Sequence, residues 1–350
     1  MQYKSLKKRI AIIGTQGYSG LTLASYLLDH PQVELATVFA RQDDWQLGHD
    51  LIHPKAQSVP TFSMEDFPQH LSSLDVVFLA TPANVSIEWV PICLAAGVLT
   101  IDLSGGFRLP EAAHPEWYGF THQAPGFLDE AHYGLSPWQS AKPTQLIANP
   151  GCYATAALMA VLPVVPLMHV DSLILDGKSG VTGAGRSAKR HMLFAEVAGD
   201  FYPYKVGRHQ HTPEITHAIA GVTGQTVAPK LTTQILPTQQ GIAMTAYARL
   251  KAGVTAQDVE QAFTQAYQDY PLVTQMPLLQ AEQQEPQLLH LKSVVGTPMT
   301  HLVYTVDAHG VQVFCFIDNL HKGAASQAIE NLNRYYDWPV SLGLLPGEVV

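Results

Sequence analysis

The sequence predicts an α/β domain with a doubly wound parallel sheet, joined to an α+β domain with a mixed, largely antiparallel sheet. In roughly the first 150 residues, short apolar β runs alternate with helical patterns, which is typical of a parallel sheet with crossover helices. After Cys152 the β runs become longer and often adjacent, and His309-Gly310 between the last two is typical of a hairpin turn. We therefore expect a Rossmann-type domain at 1–151 plus 319–350 and a second domain at 152–318.

The elements of the first domain follow from its apolar pattern and the breaks in that pattern. A βαβ unit opens the domain, because an apolar run ends at a glycine, a helical pattern follows, and His30-Pro31 ends that helix. Two further buried strands and a helix continue the alternation. The predicted strands are 9–13, 33–39, 75–80 and 98–102, and the predicted helices are about 19–29 and 84–96.

The elements of the second domain are predicted in the same way. Its strands are expected at 172–178, 241–250, 288–293, 300–307 and 311–318. Helices at 212–220 and 256–267 are expected to cover one face of the sheet, and a last helix at 323–335 to return to the first domain. Residues 279–287 are rich in Gln and Glu and are expected to form a solvated loop.

Composition argues against several classes of function. The net charge is −9 and the Lys and Arg residues are scattered, so no nucleic-acid surface is expected. No apolar stretch reaches the length of about 18 residues that suggests a membrane span, and the N-terminus lacks the apolar segment of a signal peptide. Three cysteines, Cys93, Cys152 and Cys315, are too few for a disulfide framework. We expect a cytoplasmic protein with no membrane partner, and with Cys93 and Cys315 in its core.

A glycine-rich segment with the sequence GTQGYSG joins the first predicted strand to the first helix at residues 14–20. Glycines at such a turn let the backbone approach a pyrophosphate, whose charge the helix N-terminus stabilises. The spacing differs from the usual G-x-G-x-x-G, and a tight turn without a ligand is the alternative. We predict a dinucleotide site formed by Gly14, Thr15, Gln16, Gly17, Tyr18, Ser19 and Gly20.

The end of the second strand indicates which dinucleotide is bound. NAD-binding proteins carry an acidic residue there for the ribose hydroxyls, whereas this chain has Arg41, whose guanidinium suits a 2′-phosphate. Asp43 and Asp44 follow closely and weaken this assignment, and a plain surface role for Arg41 is the alternative. NADP(H) is the predicted cofactor. Thr81 and Pro82 follow a buried strand at the ligand-binding edge of such a sheet and join the predicted cofactor site.

Cys152 lies in the sequence NPGCYATA at 149–156, between a short apolar β run and a long apolar helical segment. Pro150-Gly151 predicts a sharp turn that places the cysteine at the start of the helix. The unpaired N–H groups and the positive dipole end there favour the thiolate over the thiol. A buried, inert cysteine is the alternative and the more common state of a free Cys. We predict that Cys152 is a nucleophile.

The segment IANPGCYATAALMAVLP at 147–163 closely resembles the active-site signature of the N-acetyl-gamma-glutamyl-phosphate reductase family, in the aspartate-semialdehyde dehydrogenase-like superfamily. The resemblance extends over nearly the whole chain. It implies NADP in the glycine-rich loop, a homodimer or homotetramer, and 152–318 as the catalytic and oligomerisation domain. It also implies that Cys152 attacks an acyl phosphate, releases phosphate and forms a thioester that NADPH reduces.

A second cluster, with the sequence HQHTPE, begins at His209 and precedes a helix that Thr212 is predicted to cap. A His-x-His pair suits a metal site, but no third and fourth ligand follow at a fixed spacing, so no metal is predicted. The family usually has His-Arg-His-x-Pro-Glu here, and Gln210 departs from that pattern. A histidine of ordinary pKa, about 6.5, exchanges protons near neutrality. The resemblance implies that His209 is the acid–base catalyst and that His211 and Glu214 bind substrate.

Further motifs supply candidate ligands for an anionic substrate. Arg108 lies in a segment that resembles the Ser-x-x-Phe-Arg-Leu of the family and would bind a carboxylate or phosphate; a structural ion pair is the alternative. A glycine-rich loop at 178–186 would cradle the acyl phosphate with backbone N–H groups and the hydroxyls of Ser179 and Thr182, unless it is a flexible surface loop. Asn319 lies in DNLHKGAA, which resembles the closing motif of the family, beside the nicotinamide; a helix cap is the alternative. The predicted substrate contacts also include Asn149, and the predicted cofactor contacts also include Gly183.

The resemblance implies NADPH-dependent reductive dephosphorylation of N-acetyl-L-glutamyl 5-phosphate to N-acetyl-L-glutamate 5-semialdehyde, in arginine biosynthesis. The same chemistry on aspartyl or N-acetyl-aminoadipyl phosphate is an alternative, because one methylene in a pocket changes binding by only about 1–3 kcal/mol. A second alternative is a non-catalytic nucleotide sensor on the same fold. The presence of Cys152, His209 and Arg108 in one chain favours the enzyme.

Overall fold

The structure, a computed structural model, describes residues 7–41, 44–138 and 143–345. The chain forms two compact units. The first unit consists of Met1–Pro150 with Ala324–Val350, and the second consists of Gly151–Gly323. Within the described residues, each unit is built on one seven-stranded sheet. Asp43, which entered the cofactor prediction, lies outside the described residues.

Helices and strands are numbered here in chain order. The strands are β1 (Lys8–Ile13), β2 (Val33–Ala40), β3 (Thr61–Ser63), β4 (Val76–Leu79), β5 (Leu99–Asp102), β6 (Ala131–Tyr133), β7 (Leu146–Ala148), β8 (Ile174–Ser179), β9 (Tyr202–Pro203), β10 (Lys230–Ile235), β11 (Ile242–Ala248), β12 (Val273–Pro277), β13 (Thr300–Asp307) and β14 (Gly310–Ile317). The α-helices are α1 (Tyr18–Asp29), α2 (Leu47–Asp50), α3 (Phe67–His70), α4 (Ala83–Ala95), α5 (His114–Trp117), α6 (Cys152–Val161), α7 (Phe194–Val197), α8 (His211–Thr223), α9 (Ala256–Tyr267), α10 (Leu278–Gln284) and α11 (Ser326–Tyr335).

The sheet of the first unit has the order β3-β2-β1-β4-β5-β7-β6, and all its neighbouring strands are parallel. Every residue of β4 is buried, as expected for a parallel strand covered on both faces. The last helix, α11, packs against α1 in this unit. The predicted parallel α/β sheet is confirmed, and the short strands β3 and β6 were not foreseen.

The sheet of the second unit has the order β12-β13-β14-β11-β8-β10-β9. Its central pairs are antiparallel, whereas β12–β13 and β8–β10 are parallel. The mixed, largely antiparallel sheet is therefore as predicted. Helix α6 is buried over almost its whole length and packs on β11 and β14. The hydroxyl of Tyr267 in α9 donates to the carbonyl of Met159 in α6 at 2.6 Å, which joins these two helices.

Two local predictions in the second unit are wrong. Residues 288–293 form 3-10 turns, at Pro286–Leu289 and Leu291–Ser293, and not a strand. The expected loop at 279–287 is mostly the helix α10. The reason is a small buried cluster of Ala281, Leu288 and Val303, which draws apolar residues from three separate segments. Because these contacts lie far apart in sequence, the local pattern did not predict them.

The helices of the described ranges are short. None of them is long and apolar enough to cross a membrane. The longest are α4 and α8, with 13 residues each, and α4 contains Pro91. A helix of 13 residues is about 20 Å long, which is less than the thickness of a bilayer core.

Candidate active site

The glycine-rich loop of the first unit lies between β1 and α1. Gly14 has a φ of +92°, and a Cβ at this position would overlap the carbonyl oxygen of Ala80. A Cβ on Gly20 would lie 2.5 Å from the carbonyl oxygen of Gly14. Both positions therefore require glycine, the first for its backbone conformation and its space and the second for its space alone. Gly17 is the N-cap residue of α1.

This loop has the features that a pyrophosphate needs. Helix α1 begins without a side-chain cap and has no acidic residue in its first turn, so no carboxylate there neutralises its positive end. The hydroxyl of Thr15 is buried without a hydrogen-bond partner among the described residues. A phosphate oxygen would accept a hydrogen bond from that hydroxyl. The residues present therefore fit the phosphates of a dinucleotide.

Gln16 connects the loop to the end of β2. Its side-chain Oε1 accepts a hydrogen bond from the backbone N–H of Arg41 at 3.3 Å. The side chain of Arg41 is exposed. The backbone of Arg41 at the end of β2 is therefore tied to the glycine-rich loop.

The C-terminal ends of β4 and β5 are joined by a polar network. Pro82 is the N-cap residue of α4, and the hydroxyl of the preceding Thr81 lies 2.8 Å from the hydroxyl of Ser86. Ser86 in turn hydrogen-bonds Asp102, a fully buried carboxylate that also accepts from the backbone N–H and the hydroxyl of Ser104 at 3.0 and 2.8 Å. Burial raises the pKa of Asp102, and these hydrogen bonds oppose that rise.

Arg108 and Asn149 are brought together at the end of β7. The Nε of Arg108 donates to the carbonyl of Asn149 at 2.7 Å, and its Nη2 donates to the carbonyl of Leu103 at 2.6 Å. Both residues are buried. The side-chain amide of Asn149 donates to the carbonyl of Ala324 at 3.1 Å and accepts from Asn331 Nδ2 at 2.9 Å. The Asn149 amide therefore binds residues of its own unit.

Two histidines that the sequence did not single out hold the loop before Arg108. The Nε2 atoms of His114 and His122 both lie 2.9 Å from the carbonyl oxygen of Gly106. His122 Nδ1 accepts from the backbone N–H of Ala124 at 3.1 Å, so its Nε2 carries the hydrogen in the neutral ring and donates to Gly106. Burial lowers the pKa of His122 and favours this neutral form. No motif marks the pair, because their common partner is a backbone carbonyl.

In the second unit, Cys152 is the first residue of α6 and Gly151 is the N-cap. The backbone N–H of Gly151 donates to Oε1 of the fully buried Glu214 at 2.7 Å. Cys152 is partly exposed, whereas Cys93 and Cys315 are fully buried. Burial raises the pKa of Cys93 to about 12 and also raises that of Cys315. Of the three thiols, only Cys152 is therefore placed for reaction.

His209 is held in one neutral form. Its Nδ1 accepts a hydrogen bond from the backbone N–H of His211 at 3.2 Å, so its Nε2 carries the hydrogen. That Nε2 lies 3.5 Å from the hydroxyl oxygen of Tyr204. Burial, followed by the charges of His211 and Lys205, lowers the pKa of His209 to about 2. His209 is therefore uncharged at neutral pH and does not titrate there, in contrast to a histidine of ordinary pKa.

Two tyrosines connect Cys152 with His209. The ring of Tyr153 lies 5.4 Å from the ring of His209. Burial raises the pKa values of Tyr153 and Tyr204, and a negative charge on Cys152 raises both further. Tyr153 follows Cys152 directly in the chain, and its ring lies 6.5 Å from the ring of Tyr204. Cys152, Tyr153, Tyr204 and His209 thus form one cluster within the second unit.

The predicted helix cap at Thr212 is wrong. Helix α8 begins at His211, and its N-cap residue is Gln210, without a side-chain cap. The backbone N–H of Thr212 already donates to the carbonyl of His209 at 2.9 Å, which places Thr212 inside the first turn. His211 Nε2 lies 3.9 Å from Glu214 Oε2. In the described ranges, no three or more His, Cys, Asp or Glu side chains are grouped as a metal ion would need.

The loop after β8 is fixed by hydrogen bonds within the second unit. Ser179 and Thr182 are buried, whereas Gly183 is exposed. The hydroxyl of Thr182 accepts from Asn319 Nδ2 at 3.0 Å, and Asn319 Oδ1 accepts from the backbone N–H of Gly241 at 2.7 Å. A Cβ on Gly183 would lie 3.1 Å from the Ser179 hydroxyl. Asn319 therefore holds two loops together, one of which carries the predicted anion site.

Two family models match most of the chain. Residues 9–146 match the semialdehyde dehydrogenase NAD-binding domain, and residues 152–319 match the semialdehyde dehydrogenase dimerisation domain. The chain therefore carries a domain for a nicotinamide cofactor and a domain of a type that mediates dimerisation. The fold class predicted from the sequence agrees with both matches.

Solved structures show the same fold. Aspartate semialdehyde dehydrogenase II from Vibrio cholerae, complexed with ASA, matches with a TM-score of 0.72 at 16% identity, over 95% of this chain and 99% of that one. Aspartate semialdehyde dehydrogenase with NADP from Candida albicans matches with a TM-score of 0.64 at 13% identity, over 95% and 98%. At these identities the likeness concerns the fold alone.

Curated relatives are much more similar in sequence. The N-acetyl-gamma-glutamyl-phosphate reductase of Streptococcus thermophilus is 35% identical over 342 residues, which cover 96% of this chain and 98% of the relative. The reductases of Acidithiobacillus ferrooxidans and Geobacillus stearothermophilus are each 38% identical over 344 residues, which cover 96% of this chain and 98% and 97% of the relatives. The chain therefore belongs to the N-acetyl-gamma-glutamyl-phosphate reductase family.

Proposed function

We propose that this chain catalyses the NADPH-dependent reductive dephosphorylation of N-acetyl-L-glutamyl 5-phosphate to N-acetyl-L-glutamate 5-semialdehyde, in arginine biosynthesis. The observation that carries the proposal is the position of Cys152. It is partly exposed, it is the first residue of α6, and it directly precedes Tyr153, whose ring packs near those of Tyr204 and His209. The names of the curated relatives supply the substrate.

Cys152 supplies the nucleophile. The N-terminus of α6 favours its thiolate, which attacks the acyl carbon of the substrate. The bond from that carbon to the phosphate oxygen breaks, phosphate leaves, and a thioester remains on Cys152. Bound NADPH supplies the hydride that reduces this thioester. Addition of the hydride to the thioester carbon leaves a negatively charged thiohemiacetal oxygen on the intermediate. When this oxygen re-forms the carbonyl, the carbon–sulfur bond breaks, the aldehyde leaves and the sulfur returns to the thiolate.

His209 is assigned the stabilisation of the substrate oxygen. Negative charge develops on that oxygen when the thiolate attacks and again before the thiohemiacetal collapses. The Nε2–H of the neutral His209 ring donates a hydrogen bond to it. A donor that stays neutral needs no proton exchange with solvent, so the depressed pKa suits this role better than acid–base catalysis. Backbone N–H groups at the start of α6 are further donors.

The other predicted contacts are assigned by their positions. Arg108, held by two carbonyls, binds the substrate carboxylate, and the loop with Ser179 and Thr182 binds the phosphate. His211 orients His209 through its backbone N–H. Glu214 holds the turn that carries the nucleophile. Direct substrate contact by His211 and Glu214 remains part of the proposal, because both line the same cluster as His209.

NADP is proposed over NAD because of Arg41. Its side chain is exposed and its backbone is tied to Gln16 of the glycine-rich loop, which suits a 2′-phosphate. Asn319 and Gly183 are proposed to lie near the nicotinamide, and Thr81 and Pro82 near the dinucleotide at the end of β4. The match of the second unit to a dimerisation domain supports a homodimer or homotetramer.

The experiment is an assay of the phosphate-dependent reverse reaction, in which the absorbance of the NADPH formed is measured over time. N-acetyl-glutamate semialdehyde, aspartate semialdehyde and the N-acetyl-aminoadipate homologue are compared for the wild type, Cys152→Ser and the buried control Cys93→Ser. We expect turnover of the first aldehyde, abolished only by Cys152→Ser. Preference for another aldehyde would contradict the proposed substrate. Turnover with NAD but not with NADP would contradict the proposed cofactor. No turnover with any aldehyde would favour a non-catalytic sensor.

A further inference from the structure

The segment after β14 differs from the helix that the sequence predicts. A helix was expected at 323–335, but a π-helical turn at His321–Ala325 precedes α11. In this turn the backbone N–H of Gly323 donates to the carbonyl of Asp318 at 2.9 Å, with the five-residue spacing of a π-helix. π-Helical turns are rare in proteins, and those that occur are often found at functional sites.

Gly323 lies directly against Cys152. A Cβ built on Gly323 would lie 2.8 Å from the Cβ of Cys152 and 3.2 Å from its Cα. Gly323 is not among the glycines with a positive φ, so it is required here for its space and not for its backbone conformation. The backbone at Gly323 therefore lies directly beside the nucleophile, and a side chain at this position would displace Cys152 or the turn.

Asp318 hydrogen-bonds the backbone that leads into Gly323. Its Oδ1 accepts hydrogen bonds from the backbone N–H groups of Leu320 and His321 at 2.7 and 3.1 Å. Its Oδ2 accepts from the backbone N–H of Gly296 at 2.8 Å. The side chain is fully buried. A carboxylate has acceptor sites on both oxygens for these three donors, whereas an amide offers one oxygen only.

We propose that Asp318 is a positioning residue for Cys152, acting through the π turn and Gly323. The inference rests on the proposed function, because it takes Cys152 as the nucleophile. When Asp318 no longer accepts on both oxygens, the turn moves and Gly323 no longer confines Cys152. The sulfur then leaves the place at the start of α6 where the helix N-terminus stabilises its thiolate.

Two variants and a matched control test this proposal. Asp318→Asn removes one acceptor oxygen, and Gly323→Ala inserts a methyl group into the contact with Cys152. Asp307→Asn is the control, because Asp307 Oδ1 accepts from the backbone N–H groups of His309 and Gly310 at 2.7 and 3.2 Å, at the opposite, exposed end of β14. The readouts are kcat, the KM for NADP, the thermal unfolding midpoint, and the pH midpoint of Cys152 alkylation by iodoacetamide.

We expect both Asp318→Asn and Gly323→Ala to lower kcat by roughly tenfold or more. The pH midpoint of alkylation is expected to rise by about half a unit, while the KM for NADP changes less than about twofold. Asp307→Asn is expected to match the wild type in kcat, in the pH midpoint of alkylation and in the KM for NADP. A merely structural role for Asp318 would lower the unfolding midpoint and leave the alkylation midpoint of the folded protein unchanged.

Each other outcome decides against one claim. Wild-type kcat and alkylation in both variants would overturn the proposal, and a change in Gly323→Ala alone would overturn the part assigned to Asp318. If Asp318→Asn does not fold, Asp318→Glu is measured instead, because it keeps both acceptor oxygens. Wild-type kcat and a wild-type alkylation midpoint in Asp318→Glu would support the proposal. A lost kcat with an unchanged alkylation midpoint would overturn it. Failure of iodoacetamide to inactivate the wild type would instead contradict Cys152 as the nucleophile, and so the proposed function itself.

Discussion

Glu214 Oε1 accepts a hydrogen bond from the backbone N–H of Gly151 at 2.7 Å, across a sequence separation of 63 residues. The acceptor is fully buried in the first turn of α8. It fills the role of the N3 side chain in a capping box, which accepts from the backbone N–H of the cap residue, here Gly151. The turn before Cys152 is therefore held by a carboxylate from another helix.

Glu214→Ala is predicted to destabilise the protein by about 1–3 kcal/mol, because it leaves the buried N–H of Gly151 without an acceptor. Glu214→Gln keeps an acceptor oxygen and is expected to lose less than half as much. The free energy of unfolding, measured in urea, checks both values. Equal losses in the two variants would show that the charge of Glu214, and not its hydrogen bond to Gly151, matters.

The stability of the protein is predicted to fall as the pH drops below about 6.5. The folded-state pKa of His209 is lowered to about 2, so between these values the unfolded chain binds a proton that the folded chain does not. The free energy of unfolding then decreases by up to about 1.4 kcal/mol per pH unit from this residue alone. His30, His122 and His301, whose pKa values burial also lowers, act in the same direction.

The contribution of His209 is separated by substitution. His209→Gln is expected to reduce the slope of unfolding free energy against pH between 6.5 and 5.5 by up to about 1.4 kcal/mol per unit. The control is His217→Gln, at an exposed position of α8. Urea unfolding at several pH values gives these slopes, and an identical slope in His209→Gln and the wild type would show that His209 titrates normally.

Gly14→Ala is predicted to abolish tight binding of NADPH. The substitution places a residue with a side chain at a φ of +92° and forces its Cβ into the Ala80 carbonyl. Gly97→Ala is the matched control, with a φ of +73° and no atom within 4 Å of its Cβ. Both variants carry about 1–2 kcal/mol of backbone strain, but only the first distorts the loop. Fluorescence titration with NADPH separates them, and equal affinities would refute a cofactor role for the loop.

Arg108→Lys is predicted to raise the KM for the acyl substrate. The guanidinium is fixed by donation from two nitrogens, to Asn149 and to Leu103, and a lysine ammonium does not reproduce this planar arrangement. Loss of about 1.4 kcal/mol of charge-assisted binding corresponds to a roughly tenfold increase in KM. Arg9→Lys, at an exposed pair with Glu34, is the control. Steady-state kinetics gives the KM for the acyl substrate in each variant. A KM in Arg108→Lys equal to that of the control would contradict a role for Arg108 in substrate binding.

Much of the fold was predictable because its signals are local. The glycines of residues 14–20, placed after an apolar strand and before a helix, predicted the loop that the structure shows between β1 and α1. The Pro-Gly before Cys152 correctly predicted a helix that starts at the cysteine. In both places the features that matter, a turn and a helix start, depend on residues that are neighbours in sequence.

The parts of the site that sequence reasoning missed depend on distant partners. The two histidines at 114 and 122 meet on the Gly106 carbonyl, and Asp318 accepts from Gly296 in another segment. A backbone carbonyl or N–H group leaves no signal in a sequence pattern. The strand expected at 288–293 was wrong for a related reason, because Leu288 packs against Ala281 and Val303, which lie in other segments of the chain.

The sequence alone determined the fold class, the family resemblance and the glycine-rich loop, and it supplied the prediction that Cys152 is the nucleophile, because periodicity, turn residues and motif order are properties of neighbouring residues. Only the tertiary structure decided that His209 is uncharged at neutral pH, that Glu214 binds the backbone N–H of Gly151, and that Gly323 confines Cys152. Burial and hydrogen bonding act through space. Desolvation energies and steric contacts depend on neighbours that the fold brings together from distant parts of the sequence.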